Sequence, residues 1–298
     1  MQPESKARPL LPEDERLLRT ALPPLAQVEL ASARQDAASA KMSYRAAGRR
    51  DGDAVVMLHG LGSSSAGYRG QLAGLPPDVR AVAWDAPGFG ASDPLPMPSP
   101  TADDFAHALH AFIQALGLTR TVTLVGSSWG SVIATTYASL FPGHVSALVL
   151  MAPNVARGTL PADQRATMLE GLHASAEKTL AENRSEVARR LLPPDAPHLV
   201  RELVMQLRDA MTLKGWMQAV TMLLSVHTPD RLATVRCPVS IVVGREDRLA
   251  PPSLHAVPLR DSVPHASFHE IPHCGHMPKL EYPSHVNGVI LSAMRASA

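Results

Sequence analysis

Short apolar runs recur along the chain, and most are separated by stretches with helical periodicity. From residue 54 onward these runs are almost continuously apolar, as is typical of parallel strands that are covered on both faces. We therefore predict eight strands. They are QVELA (27–31), MSYRA (42–46), AVVMLHG (54–60), VRAVAWD (79–85), TVTLVG (121–126), VSALVLMA (145–152), VSIVVG (239–244) and ASFHEI (266–271).

Helical patterns lie between most of these strands. The predicted helices cover residues 102–117, 129–141, 253–260 and 278–296. Alternation of this kind predicts an α/β fold with a mostly parallel eight-stranded sheet flanked by helices. No helix separates the first two strands, so we expect an antiparallel edge there.

One long interval interrupts the alternation. Residues 154–228 contain no strand pattern, whereas apolar residues recur there with helical spacing, for example at Val200, Leu203, Val204 and Leu207. We interpret this interval as a helical cap inserted into the α/β core. From the N-terminus, we expect an extension at 1–25, the first part of the core at 26–153, the cap at 154–228 and the second part of the core at 229–298.

The N-terminal extension contains the segment PEDERLLRTAL. It has acidic residues in its first turn, and Leu17, Leu18, Ala21 and Leu22 share one helical face before Pro23-Pro24. We expect a packing helix here, and a lid over the site or a dimer contact are the alternatives.

Composition narrows the classes of partner. Lys plus Arg number 28 and Asp plus Glu number 27, so no strong field favours nucleic acid or an anionic membrane. We expect a small, roughly neutral substrate, and a homo-oligomer stays an open alternative. Two cysteines without a CxxC motif argue against a disulfide framework or a Cys-rich zinc site. The charged N-terminus has no signal-peptide core and no apolar run reaches membrane-spanning length, which predicts a cytoplasmic protein.

Glycine-rich and charged loops follow several of the predicted strands. In an open α/β sheet, ligands bind beyond the carboxyl ends of the strands. We therefore expect these loops to meet at one edge of the sheet. They are HGLGSSS, DAPGFGASD, GSSWGS, GREDRLAP and HCGHMP.

The segment GSSWG, residues 126–130, fits the pattern G-x-S-x-G between a strand and a helix. A nucleophile on such a tight turn has a strained backbone and needs small residues two positions before and after it. Around Ser128 both positions are glycine, whereas around Ser127 they are Val125 and Trp129. Ser128 is therefore the predicted nucleophile.

A serine hydroxyl needs a base within hydrogen-bond reach and an acid that orients the base. In this type of fold the acid and then the histidine follow the serine along the chain. The late strand VSIVVG is followed by Glu246 and Asp247, and the region around the last strand offers His269, His273 and His276. The residues alone do not decide which of these side chains is the acid and which is the base.

The ordered motifs HGLG, DAPGFGASD, GSSWGS, GREDRLAPP and CGHMPKLEYP resemble the α/β-hydrolase superfamily over residues 27–296. The resemblance implies Asp247 as the acid and His276 as the base. His276 would take the Ser128 proton and return it to the leaving group, and Asp247 would orient the imidazole.

The same resemblance implies an oxyanion hole made by the backbone N–H groups of Leu61 and Trp129. No acidic or cysteine ligands accompany the C-terminal histidines, so we expect neither a metal nor a cofactor. Further candidate pocket residues are His59, Gly60, Arg157, Trp216, Met217 and Met277. We expect His59 to hold its loop by hydrogen bonding rather than to act as an acid or base.

A serine nucleophile implies acyl transfer, and our first hypothesis is hydrolysis of a small to medium, largely neutral carboxylic ester or lactone. The sequence also resembles C–C hydrolases of ring-cleavage diketo acids. That family commonly carries Trp after the catalytic His, where this chain has Met277, and Arg157 is a candidate clamp for an acidic substrate.

Two further alternatives stay open at this stage. One is a prolyl-type aminopeptidase, although the HGGPG-like loop of that family is replaced here by HGLGS. The other is a ligand receptor on a hydrolase fold, because a fold does not determine a function.

Overall fold

A computed structural model describes residues 7–30 and 40–296 of the chain. Within these residues the chain forms one sheet of eight strands in the spatial order β1-β2-β4-β3-β5-β6-β7-β8. The strands are β1 Ala26–Leu30, β2 Ala40–Ala47, β3 Ala54–Leu58, β4 Arg80–Trp84, β5 Val122–Ser127, β6 Val145–Met151, β7 Val239–Gly244 and β8 Ser267–Ile271.

The helices occupy most of the remaining described chain. They are α1 Pro12–Arg19, α2 Arg69–Gly74, α3 Ala102–Ala115, α4 Trp129–Leu140, α5 Ala162–Ala174, α6 Ala176–Leu180, α7 Arg184–Leu191, α8 His198–Leu207, α9 Leu213–Leu223, α10 Thr228–Leu232, α11 Ala256–Ser262, α12 Pro278–Glu281 and α13 Pro283–Ala296. Short 3-10 turns cover Ser65–Tyr68, Pro142–His144 and Arg208–Ala210.

The sheet is parallel except at one edge. Strand β2 pairs antiparallel with both β1 and β4, and the strands from β4 to β8 pair in parallel. Strands β3, β5 and β7 are buried along their whole length, and β6 is buried except at Ser146, because helices cover both faces. The predicted α/β class, the eight strands and the antiparallel edge are confirmed.

Several element boundaries differ from the prediction. The last predicted helix, 278–296, is two helices, because Pro283 lacks an N–H group and disfavours helical geometry at Tyr282, which adopts φ −143° and ψ 58°. Strand β3 ends at Leu58, two residues early, and the chain then turns toward the nucleophile. Helix α1 ends at Arg19, before two of the four apolar residues assigned to its face.

Two apolar layers sandwich the sheet. Helices α3 and α4 contribute to one layer with side chains such as Phe105 and Trp129. Helices α2 and α13 contribute to the other with side chains such as Leu72 and Val286. Helix α1 contacts α2 and α13, and the Asp14 carboxylate accepts a 2.8 Å hydrogen bond from the Ser284 N–H. The N-terminal helix is therefore a packing element.

Six helices, α5 to α10, lie between β6 and β7; we call this part of the chain, residues 152–238, the helical insertion. The cap predicted at 154–228 falls within it. Its contacts with the carboxyl edge include a 3.2 Å hydrogen bond from the Trp129 indole N–H to the Ala219 carbonyl and a 2.8 Å hydrogen bond from the His276 N–H to the Leu191 carbonyl. In the described part of the chain, no helix has the length and apolar character needed to cross a membrane.

Candidate active site

Ser128 occupies a sharp turn between β5 and α4, with φ 52° and ψ −117°. A left-handed backbone is unfavourable for a serine, so the surrounding structure must hold it in place. A Cβ atom added at Gly126 would lie 2.6 Å from the Gly130 carbonyl oxygen, and one added at Gly130 would collide with the Leu58 and His59 carbonyl oxygens. The two glycines of the motif are therefore required sterically.

A continuous hydrogen-bonded chain joins Ser128, His276 and Asp247. The His276 Nε2 atom lies 2.9 Å from the Ser128 hydroxyl oxygen, and the His276 Nδ1 atom lies 2.7 Å from Asp247 Oδ2. Both the imidazole and the carboxylate are buried, with 4% of each residue exposed. This geometry allows the imidazole to accept the serine proton while the carboxylate binds the opposite N–H.

The loop after β7 holds Asp247 in position. Its Oδ1 atom accepts hydrogen bonds from the backbone N–H groups of Leu249 at 2.9 Å and Ala250 at 2.8 Å. The neighbouring Glu246 instead lies 3.4 Å from His273, whose side chain is largely exposed. The structure thus separates this outer pair from the buried one.

His276 is positioned by a buried carboxylate that sequence reasoning missed. Glu281 accepts hydrogen bonds from the N–H groups of Gly275 at 2.9 Å and Met277 at 3.1 Å, on either side of the histidine. Burial raises the pKa of Glu281 to about 7. Arg8 lies 3.6 Å from this carboxylate, so the N-terminal segment also supports the loop.

The backbone N–H groups of Leu61 and Trp129 remain available beside the nucleophile. Within residues 7–30 and 40–296, neither group has a hydrogen-bond partner in the protein. Gly60 packs closely here, because a Cβ atom at this position would lie 3.1 Å from the Ser128 Cβ atom. Two free donors next to a serine can stabilise a developing oxyanion.

His59 does not line the pocket, contrary to one expectation, but lies behind this loop and holds it by hydrogen bonding, as the other expectation had it. Its Nε2 atom accepts a hydrogen bond from the Ala86 N–H at 3.0 Å, so its Nδ1 atom carries the proton and donates to the Gly60 carbonyl at 2.9 Å. Burial lowers the pKa of His59 to about 4, and the ring is neutral at pH 7. His59 fixes the loop that carries Gly60 and Leu61.

A cavity of about 580 Å³ opens above the nucleophile, between the carboxyl edge of the sheet and the helical insertion. Of the predicted pocket residues, Gly60, Arg157, Trp216 and Met277 line it. Met217 does not. It follows Trp216 on α9 and therefore points about 100° away, where it packs against the apolar cluster of the insertion.

The cavity wall is rich in cationic side chains. Arg157, Arg190, Arg208 and Lys279 line it, whereas none of the described lining residues is Asp or Glu. Arg190 is neutralised by Glu182, at 2.6 and 3.0 Å. The other three have no carboxylate within 4 Å among the described residues.

Sequence reasoning missed Arg208, although a signal was present. The apolar positions of α8 continue from Val204 to position 208 after one helical turn, and an arginine stands there. A charge on an otherwise buried stripe indicates a cavity or a partner. Its Nη2 atom donates to the Thr179 carbonyl at 2.6 Å, and burial lowers its pKa.

The family model that describes the alpha/beta hydrolase fold matches residues 53–283. The chain therefore belongs to the α/β-hydrolase fold family, and it is a hydrolase.

Named relatives and solved structures agree with this assignment. The chain is 30% identical over 259 residues to a 2-hydroxy-6-oxononadienedioate/2-hydroxy-6-oxononatrienedioate hydrolase of Pseudomonas putida, covering 82% of this chain and 88% of that protein. It is 28% identical to a 2-hydroxy-6-oxo-6-phenylhexa-2,4-dienoate hydrolase of Comamonas testosteroni, covering 85% and 90%. A thermophilic esterase from Thermogutta terrifontis shares the fold with a TM-score of 0.73 at 23% identity, covering 91% and 99%.

Proposed function

We propose that this protein is a serine hydrolase that cleaves a C–C bond next to a carbonyl group in a substrate that carries a carboxylate. The observation that carries the proposal is the buried Ser128–His276–Asp247 chain at the floor of a cavity lined by cations and by no described acid. Named relatives act on substrates of this chemical type.

Catalysis begins with the attack of the Ser128 hydroxyl oxygen on the substrate carbonyl carbon. His276 Nε2 accepts the serine proton, and the imidazolium that forms is stabilised by Asp247 through Nδ1. The carbonyl oxygen becomes an oxyanion and accepts hydrogen bonds from the N–H groups of Leu61 and Trp129. In other enzymes, each such donor contributes about 2.7–4 kcal/mol to transition-state stabilisation.

The tetrahedral intermediate then breaks the C–C bond. The electron pair moves onto the leaving fragment, where the unsaturated 2-oxo acid group of the keto form delocalises it as a dienolate. The His276 imidazolium returns the proton to the dienolate oxygen, which becomes the 2-hydroxyl group of the product. Water, deprotonated by His276, hydrolyses the Ser128 ester. The balance is one substrate and one water giving a carboxylic acid and an unsaturated 2-hydroxy acid.

The cations of the cavity favour an anionic substrate over the neutral one expected from composition. Net charge averages the whole molecule, whereas a substrate is affected by the few groups that line its site. Arg208 is partly buried and has no described carboxylate within 4 Å, so it is the arginine best placed to pair with a substrate carboxylate.

Ester or lactone hydrolysis, our first hypothesis from the sequence, is the second candidate. Met277 favours it, because this position lines the cavity and lacks the Trp that commonly follows the catalytic His in C–C hydrolases. The same serine chemistry cleaves both kinds of bond, so only the substrate distinguishes them.

The proposal is tested by comparing kcat/KM for 2-hydroxy-6-oxo-6-phenylhexa-2,4-dienoate and 4-nitrophenyl butyrate. We expect the dienoate to be preferred by at least about tenfold, since its carboxylate adds a charge-assisted contact. Arg208→Met should raise KM for the dienoate about tenfold, whereas Arg189→Met, which removes an exposed arginine outside the cavity, should leave it unchanged. A preference for the ester would instead establish the second candidate.

A further inference from the structure

Lys279 is a buried lysine at the active-site end of the sheet. It belongs to the short helix α12, three residues after His276, and only 1% of it is exposed. Its ammonium group donates a 2.7 Å hydrogen bond to the Ser127 hydroxyl and lies 5.2 Å from the centre of the Tyr68 ring. The neighbour of the nucleophile therefore contacts a cation.

The environment of Lys279 does not compensate its charge. Among the described residues, no carboxylate lies within 4 Å of the ammonium, although buried cations are normally paired. The ammonium carries three N–H donors, one of which is used by Ser127. Burial lowers the pKa of Lys279 to about 7, so keeping this charge costs free energy.

A second unsatisfied group lies beside it. The Ser63 hydroxyl is buried and has no hydrogen-bond partner in the described protein. A Cβ atom added at Gly67 would lie 2.6 Å from that hydroxyl oxygen and 3.3 Å from Lys279 Cε, so both groups pack against the same glycine. We call Ser63, Ser127 and Lys279 the polar corner; all three residues line the cavity.

We propose that the polar corner binds a second carboxylate of the substrate, so that the natural substrate is a dicarboxylate. Lys279 supplies the charge, and the hydroxyl groups of Ser63 and Ser127 donate hydrogen bonds. The inference rests on the proposed function for the position of the first carboxylate, which pairs with Arg208. A buried cation and a free buried hydroxyl are each unfavourable alone, and one carboxylate satisfies both.

The Tyr68 and His59 side chains near the corner do not supply a negative charge. The Tyr68 hydroxyl is committed to the Leu58 carbonyl at 2.7 Å, and burial raises its pKa well above the usual value. His59 is neutral and uses both ring nitrogens. A ligand from the cavity is thus the available source of the missing negative charge.

The test measures binding rather than turnover, so its outcome is independent of the reaction. Calorimetry on the Ser128→Ala protein compares adipate, a dicarboxylate, with hexanoate, the monocarboxylate of the same length. We expect adipate to bind about 10- to 100-fold more tightly, the range of one charge-assisted contact. Adding Lys279→Met should abolish that advantage, whereas adding the exposed Lys214→Met should preserve it.

Two further measurements distinguish a binding role from a structural one. We expect Lys279→Met to raise the melting temperature, because it replaces an unpaired buried charge with an apolar side chain of similar length. Ser63→Ala, which removes only one hydroxyl, should reduce the adipate advantage about threefold and keeps the proposal testable if Lys279→Met does not fold.

Three results would overturn the proposal: equal affinity for the two acids, an adipate advantage that survives Lys279→Met and Ser63→Ala, or an equal loss of both acids together with a lower melting temperature. If the proposed function is wrong, this will be seen in a separate measurement, because the wild-type protein will not turn over the dienoate.

Discussion

Two polar clusters lie side by side at the floor of the cavity, and they differ in how completely they are satisfied. In the chain from Ser128 through His276 to Asp247, each side chain has a partner at 2.7 to 2.9 Å. In the polar corner, Lys279 lacks a described carboxylate and Ser63 lacks any described hydrogen bond. The first cluster is closed within the protein and the second is open.

The difference indicates two kinds of task. A closed chain holds one proton donor and one acceptor in fixed geometry, which is what proton transfer in a transition state requires. An open cluster keeps unfavourable groups ready for a ligand that satisfies them on binding, and its cost appears as lower stability of the free protein. The closed cluster should therefore determine kcat, and the open one should determine which substrate binds.

The largest expected effect comes from breaking the closed cluster at its nucleophile. Ser128→Ala should lower kcat by a factor on the order of 10⁵–10⁶, since no other group can form the acyl-enzyme. A fluorophosphonate probe should label the wild-type protein and the Ser127→Ala variant but not the Ser128→Ala variant. Labelling that follows Ser127 instead would refute the assignment of the nucleophile.

A smaller loss should follow from Asp247→Asn, which keeps the shape but removes the negative charge and favours the wrong imidazole tautomer. We expect kcat to fall by about 10⁴. The matched control is Glu246→Gln, one residue earlier and directed at the exposed His273. Steady-state kinetics of both variants should differ by at least three orders of magnitude; comparable losses would mean that the outer pair takes part.

The smallest expected effect is on the free energy of unfolding, and it tests the charge of Lys279 in the polar corner. The pKa of Lys279 is about 7 in the folded protein, against 10.5 as the ordinary value, so the unfolded state binds more protons between these pH values. The free energy of unfolding should therefore rise with pH in this window, by about 1 kcal/mol between pH 7.5 and 8.5 from this residue.

Denaturant unfolding at the two pH values measures this contribution. Lys279→Met should lose the rise, and Lys214→Met should retain it, because the exposed Lys214 is charged in both states throughout the window. His59 does not contribute, since its pKa of about 4 keeps it neutral. An unchanged pH dependence in Lys279→Met would show that the folded protein keeps the ammonium charged well above pH 7.

Sequence periodicity predicted the sheet better than it predicted the pocket. Each predicted strand overlaps an observed one. The signal is strongest for the central strands, because continuous burial on two faces leaves a long apolar run. Pocket residues leave no such signal. Trp216 and Met217 are adjacent and similar in character, and only the rotation of α9 turns the first toward the cavity and the second away.

The active-site residues also divide into those that the local sequence identifies and those that it does not. The glycines around Ser128 identify the nucleophile because steric exclusion in a tight turn depends on neighbours in the chain. From the residues alone, three histidines were candidates for the base. Resemblance to the α/β-hydrolase superfamily, rather than spacing, selected His276. Lys279 stood within the quoted motif CGHMPKLEYP, yet nothing local distinguishes a buried lysine from a solvated one.

The positions of the strands along the chain, the class of fold and the identity of the reactive turn were encoded locally, since each depends on residues within a few positions of one another. Folding alone decided which charges share the cavity. Arg208 comes from the helical insertion, Ser63 from the loop after β3 and Lys279 from the C-terminal region, and their electrostatic environment exists only once the chain has brought them together and excluded water.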